Sequence, residues 1–257
     1  MTTSYHAITF GDPNPLKRWL QRRRLVSATQ LAGRHAVRAL SVCDFGAGNG
    51  QLCKQARLRF PSAQITCFEP SPSLMAEARH NLKADTKICF VESTESLGAA
   101  QFDIVFCLEV FEHLPPYERT EAIHVIQSIL APDGVVVIGV PVETGLPALY
   151  KGIFRMWRRF GAFDASPRHV LAAMLGRPPK HRPMGEITPG LRYHFEHMGF
   201  DHHRLRDELS QHFSIRQEAY SPFDGLGYSA MQKLILLRHL CDVESHSAFC
   251  SCLIASI

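Results

Sequence analysis

Asp44, Gly46, Gly48, Gly50 and Glu69 are the residues of this 257-residue chain whose types and spacing imply chemistry most directly. The glycines belong to Val-Cys-Asp-Phe-Gly-Ala-Gly-Asn-Gly at 42–50, and an apolar run ends in Glu69, nineteen residues past the last of them. Val42, Cys43 and Phe45 predict a short buried strand, and the glycines a tight turn at which backbone approaches a ligand before a helix opens. A carboxylate at the tip of the following strand can accept hydrogen bonds from a ribose diol. The spacing describes a pocket for a nucleotide-type ligand.

Two details choose between such ligands. A dinucleotide turn reads Gly-x-Gly-x-x-Gly, whereas here the third glycine comes one residue early and Gln51 takes its place. Asp44, ahead of the turn, is an anion that disfavours a pyrophosphate and suits a cation. S-adenosylmethionine (SAM) carries an ammonium and a sulfonium. With these residues the chain resembles the class I SAM-dependent methyltransferases, whose first motif is Asp-x-Gly-x-Gly-x-Gly and whose second strand ends in an acidic residue.

The elements that must position this turn follow from pattern. Residues 71–83 open with a serine and a proline and place Leu74, Ala78 and Leu82 on one helical face. Ile88–Val91 and Phe102–Leu108 are apolar runs that read as buried parallel strands. Tyr117–Leu130 has helical spacing, and Pro132-Asp-Gly134 turns into a strand at 135–140. The repeated strand, helix, strand order predicts a doubly wound, mostly parallel α/β sheet with ligands at the carboxyl ends of its strands. Residues 188–190 are expected to begin a helix, 202–212 to form another, and 214–220 with 231–240 to close the sheet as an antiparallel pair. Seven strands result, a Rossmann-like SAM methyltransferase fold. Residues 1–38 read as an N-terminal helical segment, 39–240 as the catalytic domain and 241–257 as a tail.

A second specific segment is Phe102-Asp-Ile-Val-Phe-Cys-Leu-Glu-Val-Phe-Glu-His-Leu-Pro115. A strand followed by Glu-x-x-Glu-His and proline is similar to the branch that includes the ubiquinone and menaquinone biosynthesis methyltransferases, a resemblance that covers roughly residues 40–141. It implies that Asp44, Gly46, Ala47 and Gly48 line the methionine half of SAM, Glu69 and Pro70 the ribose, Glu92 and Ser93 the adenine edge, and Cys107, Leu108 and Glu109 the sulfonium. Relatives commonly carry an aspartate and a small residue where this chain has Glu92 and Ser93. His113 is the candidate general base, because imidazole titrates near neutrality and this segment faces the methyl in relatives; Glu109 and Glu112 are weaker candidates. Much of the acceleration comes from holding the acceptor in line with the methyl.

Composition sets the bounds. A chain with 46% hydrophobic residues supports one domain with an elaboration. No apolar run reaches the roughly 20 residues of a membrane span, and Met-Thr-Thr-Ser-Tyr-His lacks a signal core, so a cytoplasmic protein is expected. Cys43, Cys67, Cys89 and Cys107 fall in predicted strands as small buried hydrophobes, no Cys-x-x-Cys pair occurs, and Cys250 and Cys252 sit in the tail. His194 and His197 are three apart, with His202 and His203 following, yet no nearby cysteine or carboxylate completes a ligand set, and no metal is expected. A net charge of +4 does not imply nucleic acid, and nothing fixes the oligomeric state.

Basic and aromatic residues interleave at 17–24 and at 149–160. In the second stretch Leu149, Ile153, Phe154, Trp157 and Phe160 share a helical face rimmed by Lys151, Arg155, Arg158 and Arg159. Such a helix can contact a membrane surface peripherally or bind an acidic lipid-linked substrate, although packing on its own domain with solvated arginines is the expected arrangement. Residues 141–187, rich in Pro, Gly and Arg, interrupt the alternation and read as a helical or loop cap that selects the acceptor, with turns or loop at 166–169 and 176–183. The acceptor is expected to be a small-molecule or lipid-linked intermediate, methylated on oxygen, nitrogen or carbon. A NAD-dependent oxidoreductase and a non-catalytic SAM-fold scaffold are the alternatives.

Overall fold

The computed structural model describes residues 15–222 and 231–240. Helix α1 (Pro15–His35) precedes β1 (Ser41–Phe45), α2 (Gln51–Arg59), β2 (Gln64–Phe68), α3 (Pro72–Leu82), β3 (Ile88–Val91), β4 (Phe102–Leu108), α4 (Pro116–Ile129) and β5 (Leu130–Pro141). A long segment then carries α5 (Leu146–Arg159), α6 (Pro167–Met174), and the strands β6 (Gly185–Thr188) and β7 (Leu191–Tyr193). Helix α7 (His202–His212), β8 (Phe213–Ser221) and β9 (Gln232–His239) complete the described chain.

The main sheet runs β3-β2-β1-β4-β5-β9-β8, with β9 antiparallel to both β5 and β8 and the other pairs parallel. Order reverses between β1 and β4, the crevice where a doubly wound sheet receives its ligand. The central strands are apolar on both faces because both are covered. Leu31, Leu52, Met75 and Leu82 from α1 to α3 pack with Val42, Ile65 and Ile104 on one side, and Ile123, Ile126, Leu205 and Leu209 from α4 and α7 pack with Val105, Val136 and Ile235 on the other.

Local chemistry sets the helix starts. Pro72 and Pro116 occupy first turns, where a missing N–H costs nothing, and Asp201 caps α7 by accepting from His203 N at 3.0 Å. The expected helix at Thr188-Pro189-Gly190 is instead the turn of the β6–β7 hairpin, with Gly190 at φ 84. Residues 166–169 begin α6 rather than forming a loop, Ser166 preceding Pro167 as cap and first-turn residue. Strand β3 is the sheet edge and leaves Cys89 exposed, so that thiol is not the buried hydrophobe expected, unlike Cys43, Cys67 and Cys107. Cys250, Cys252, the N-terminal Met1–His6 and most of the 221–228 loop lie outside the described residues.

Candidate functional site

The glycine turn is tied to the end of β2. Gly46 N and Ala47 N both donate to Phe68 O at 2.9 Å. Gly46 has φ 77, and a Cβ there would come within 2.5 Å of Val110 Cγ2, so neither the conformation nor the space admits a side chain. Glu69 is buried and accepts from Gly48 N at 2.8 Å and Ser71 N at 2.9 Å. Each carboxylate oxygen keeps a lone pair for an incoming hydroxyl. Residues 46–48 stay partly exposed at the sheet crevice, and Pro70 beside them is half-buried.

Asp44 is buried and accepts from Cys53 Sγ at 3.3 Å. Burial, with the nearby Glu69, pushes its pKa up to about 7. The group inferred from sequence to be an anion is therefore shifted toward its protonated form, and a cation placed beside it would favour ionisation. Glu92 pairs with Arg79 at 2.9 Å on the surface, and Ser93 Oγ lies 3.0 Å from Ser96 Oγ, so both residues expected at an adenine edge have other partners here.

The second constellation grows from the end of β4. Cys107 and Leu108 are buried in the opposite core layers. Glu109 adopts φ 58, a left-handed conformation that non-glycine residues rarely take. It is held there by Glu109 N donating to Gly139 O at 2.8 Å, by Gln232 Nε2 donating to its Oε1 at 2.7 Å, and by an ion pair from Oε2 to Arg24 at 2.8 Å. Already paired, its carboxylate is poorly disposed to act as a base. Glu112 is fully buried, and neither oxygen has a hydrogen-bond partner among the described residues. Burial, with Glu109 beside it, pushes its pKa well above the usual carboxylate range.

His113 is fastened from both sides. Its Nδ1 lies 2.6 Å from His194 O, and His194 N donates to His113 O at 2.8 Å. A carbonyl oxygen only accepts, so His113 carries its proton on Nδ1 and offers a lone pair at Nε2. The ring stacks on Tyr193 with centroids 4.4 Å apart, and Nε2 faces His197 Nε2 at 3.3 Å and Glu112 Oε1 at 3.9 Å. Burial, reinforced by His197, lowers the His113 pKa to about 4, and burial lowers that of His197 too. Both imidazoles are neutral at physiological pH. Arg182 secures this junction by donating to Glu112 O at 2.7 Å, Glu196 O at 2.5 Å and Met198 O at 3.2 Å.

The segment after β5 is organised by Glu143. This buried carboxylate pairs with Lys151 at 3.0 Å and Arg155 at 2.8 Å, both from α5, and its Oε1 lies 3.9 Å from His197 Nδ1. Burial alone would raise its pKa, but the two cations outweigh burial and hold it at about 2. Asp164, also buried, pairs with Arg159 and Arg155. The basic residues expected at the rim of α5 thus turn inward at Lys151 and Arg155, while Ile153, Phe154, Trp157 and Phe160 are exposed, Trp157 by 83%. The expected packing of this apolar face on its own domain is not what forms. Ala148, Val170, Ala173 and Met198 make the small core between α5 and α6 instead.

The fold brings Asp44, Gly46, Ala47, Gly48, Glu69 and Pro70 together around one turn, and Glu109, Glu112 and His113 beyond the adjacent strand. Sequence spacing paired His194 with His197 and found no carboxylate nearby. In three dimensions His197 meets Glu112 and His113, the two histidines being 84 residues apart. Sequence reasoning does not link His197 and Arg182 to this cluster, because His113 and Glu112 lie 84 and 70 residues away from them, and it does not single out Glu143. The only available signal was the density of histidine and arginine in the segment.

A seven-stranded sheet in this order, with a glycine turn and an acid at its switch point, defines the class I SAM-dependent methyltransferase architecture. The chain belongs to the methyltransferase-domain family, whose sequence signature matches residues 16–215. It is 36% identical over 110 residues to the ubiquinone biosynthesis O-methyltransferase of Xanthomonas campestris, covering 40% of this chain and 44% of that one. To the protein of that name from Azotobacter vinelandii it is 32% identical over 129 residues, 48% and 49% of the two chains. The chain spans less than half the length of these curated relatives. Among solved structures it resembles the N-methyltransferase NodS of Bradyrhizobium japonicum in complex with S-adenosyl-L-homocysteine, with TM-score 0.52, 14% identity and 89% of each chain covered. The 1,6-didemethyltoxoflavin-N1-methyltransferase of Burkholderia thailandensis gives 0.54 and 16%, covering 91% of this chain and 84% of that one. These two likenesses concern the fold.

Glu143→Gln leaves Lys151 and Arg155 facing a neutral amide in a buried place. Removing one partner from a buried ion pair costs about 3–5 kcal/mol. Urea denaturation followed by circular dichroism should show a loss of that size, and a loss below about 1 kcal/mol would contradict the central role of this charge.

Proposed function

We propose that the chain transfers a methyl group from SAM to a small, lipid-linked acceptor presented at an anionic membrane surface. The outward apolar face of α5 carries this reading: Leu146, Ile153, Phe154, Trp157 and Phe160 are all more than half exposed, and Leu171 and Leu175 extend the patch through α6 and beyond. Arg158 lies over the Phe154 ring at 5.8 Å, and Arg168, Arg177 and Lys180 are exposed on the same segment. Aromatic and aliphatic side chains backed by cations are the composition of an interfacial helix. In this arrangement Asp44, Gly46, Ala47 and Gly48 hold the methionine half of SAM, and Glu69 and Pro70 its ribose. Glu92 and Ser93 border the adenine, and Cys107, Leu108 and Glu109 floor the sulfonium. The acceptor arrives over Glu112, His113 and His197, where the neutral His113 Nε2 lone pair faces it. The similarity to ubiquinone biosynthesis O-methyltransferases supports an oxygen acceptor within this class.

No helix among the described residues is long and apolar enough to cross a membrane, so attachment would be peripheral. Each exposed large side chain that enters a bilayer interface contributes up to about 1.5–3 kcal/mol. Trp157→Glu with Phe160→Glu should reduce binding to vesicles of anionic phospholipid at least tenfold in flotation assays, with SAM affinity unchanged. Equal flotation of the variant and the wild-type protein would sink the membrane reading.

The cofactor assignment has its own pH signature. The Asp44 carboxyl, ordinarily ionised above pH 3.8, holds its proton up to about pH 7 in the fold, and a cationic ligand binds best once that proton has left. SAM affinity measured by calorimetry should weaken about tenfold for each pH unit below 7 and level off above it. Asp44→Asn should bind weakly with a flattened profile. An affinity in the wild-type chain that does not change below pH 7 would remove Asp44 from the pocket.

A further inference from the structure

Glu112, His113 and His197 each offer a ligand atom, and all of these atoms lie within 4.8 Å of one another. Two of the spacings, 3.3 Å between the histidine Nε2 atoms and 3.9 Å from His113 Nε2 to Glu112 Oε1, compare with the roughly 3.4 Å that separates donors around one tetrahedral ion at about 2.1 Å. Glu112 is fully buried with both oxygens unpartnered among the described residues, so that it is pushed toward its protonated form unless a cation arrives to hold it as an anion. Arg182 does not supply that cation by a direct contact, since its donors go to the backbone oxygens of Glu112, Glu196 and Met198.

The groups behind the cluster have the form of a metal site's supporting shell. His113 Nδ1 donates to His194 O, which leaves Nε2 as a ligand atom. His197 Nδ1 points toward the Glu143 carboxylate at 3.9 Å, so that with a proton on Nδ1 its Nε2 too is free to coordinate. A carbonyl behind one imidazole and a carboxylate behind the other is the usual way of fixing a ligating histidine. As an unoccupied pair the two Nε2 atoms would compete for one proton between them; as ligands both use lone pairs.

We infer that Glu112, His113 and His197 form a divalent-metal site that receives a hydroxyl oxygen of the methyl acceptor. Two imidazoles and one carboxylate suit Zn²⁺, Mn²⁺, Fe²⁺ or Co²⁺ and leave further positions open. The site lies beyond the carboxyl end of β4, and the inference rests on the reading that SAM occupies the adjoining glycine turn. There the ion makes an acceptor hydroxyl more acidic. The O–H proton passes to solvent, an oxygen electron pair forms the new O–C bond, and the methyl-to-sulfur bond breaks with its electrons retained by sulfur. His113 is then a ligand, and the acceptor class narrows to phenols or alcohols.

The test uses the full chain without an affinity tag and the metals alone as probes. Zn²⁺ calorimetry and the visible absorption of Co²⁺ should give one saturable high-affinity equivalent per chain with a low-symmetry Co²⁺ spectrum. Glu112→Gln, which is isosteric, and His197→Gln should each weaken binding at least tenfold and abolish that spectrum, while SAM binding stays within about twofold of wild type. SAM affinity and the circular dichroism melt establish that the variants are folded. Absence of a saturable equivalent in the wild-type chain, or binding undiminished in both variants, overturns the site. If SAM binds normally in that event, the metal inference alone fails; if SAM does not bind to the wild-type chain, the cofactor pocket fails first.

Discussion

Two hydrogen bonds between His113 and His194, ring Nδ1 to carbonyl at 2.6 Å and amide to carbonyl at 2.8 Å, fasten the segment between β7 and α7 to the carboxyl end of β4. Without that junction the glycine turn would still form, since Gly46, Ala47 and Gly48 bond to β2 and Glu69. The approach of His197 to Glu112 and of Tyr193 to His113, by contrast, depends on this junction together with Arg182. The glycine turn is thus a property of the sheet, and the cluster of Glu112, His113 and His197 a property of how the inserted segment docks on it. Arg182, reaching three carbonyl oxygens from two parts of the chain, makes the docking specific.

Four glutamates lie just past the carboxyl ends of β2, β4 and β5, and their partners distinguish them. Glu69 is held by two backbone amides, those of Gly48 and Ser71. Glu109 is neutralised by Arg24 and fixed by Gln232, joining α1 to β4 and β9 in a conformation that few residues adopt. Glu143 carries Lys151 and Arg155 and so anchors α5 with its apolar face outward. Glu112 alone of these has no hydrogen bond among the described residues. Burial costs a carboxylate several kcal/mol unless it is compensated; three of the four find partners, and Glu112, without one among the described residues, is pushed toward its protonated form.

The sheet was legible because its central strands are buried on both faces and read as unbroken apolar runs, and because proline and glycine mark the turns between them; Phe102–Leu108, and the edge strand Ile88–Val91 as well, have the bounds that pattern alone indicates. The glycine turn and Glu69 were legible for a related reason, being close in sequence and fixed by backbone needs. The inserted segment was not. Thr188-Pro-Gly190 carries signals common to helix starts and hairpin turns, and pairing of β6 with β7 decides between them. The face of α5 that turns outward could not be read from its periodicity, since Lys151 and Arg155 face inward only because a buried Glu143 precedes the helix. The pairing of His197 with His113 was not legible, because the two are 84 residues apart.

The junction can be observed directly in the imidazole ring. Two-dimensional NMR correlating ring nitrogens with carbon-bound protons, applied to the full chain with a His113→Gln variant for assignment, reports which nitrogen of His113 bears the proton. The expected result is the Nδ1–H form, the one that donates to His194 O and turns a lone pair toward Glu112 and His197. An Nε2–H form of His113 would leave that carbonyl without its donor and contradict both the docking of the inserted segment and the chemistry assigned to the cluster it completes.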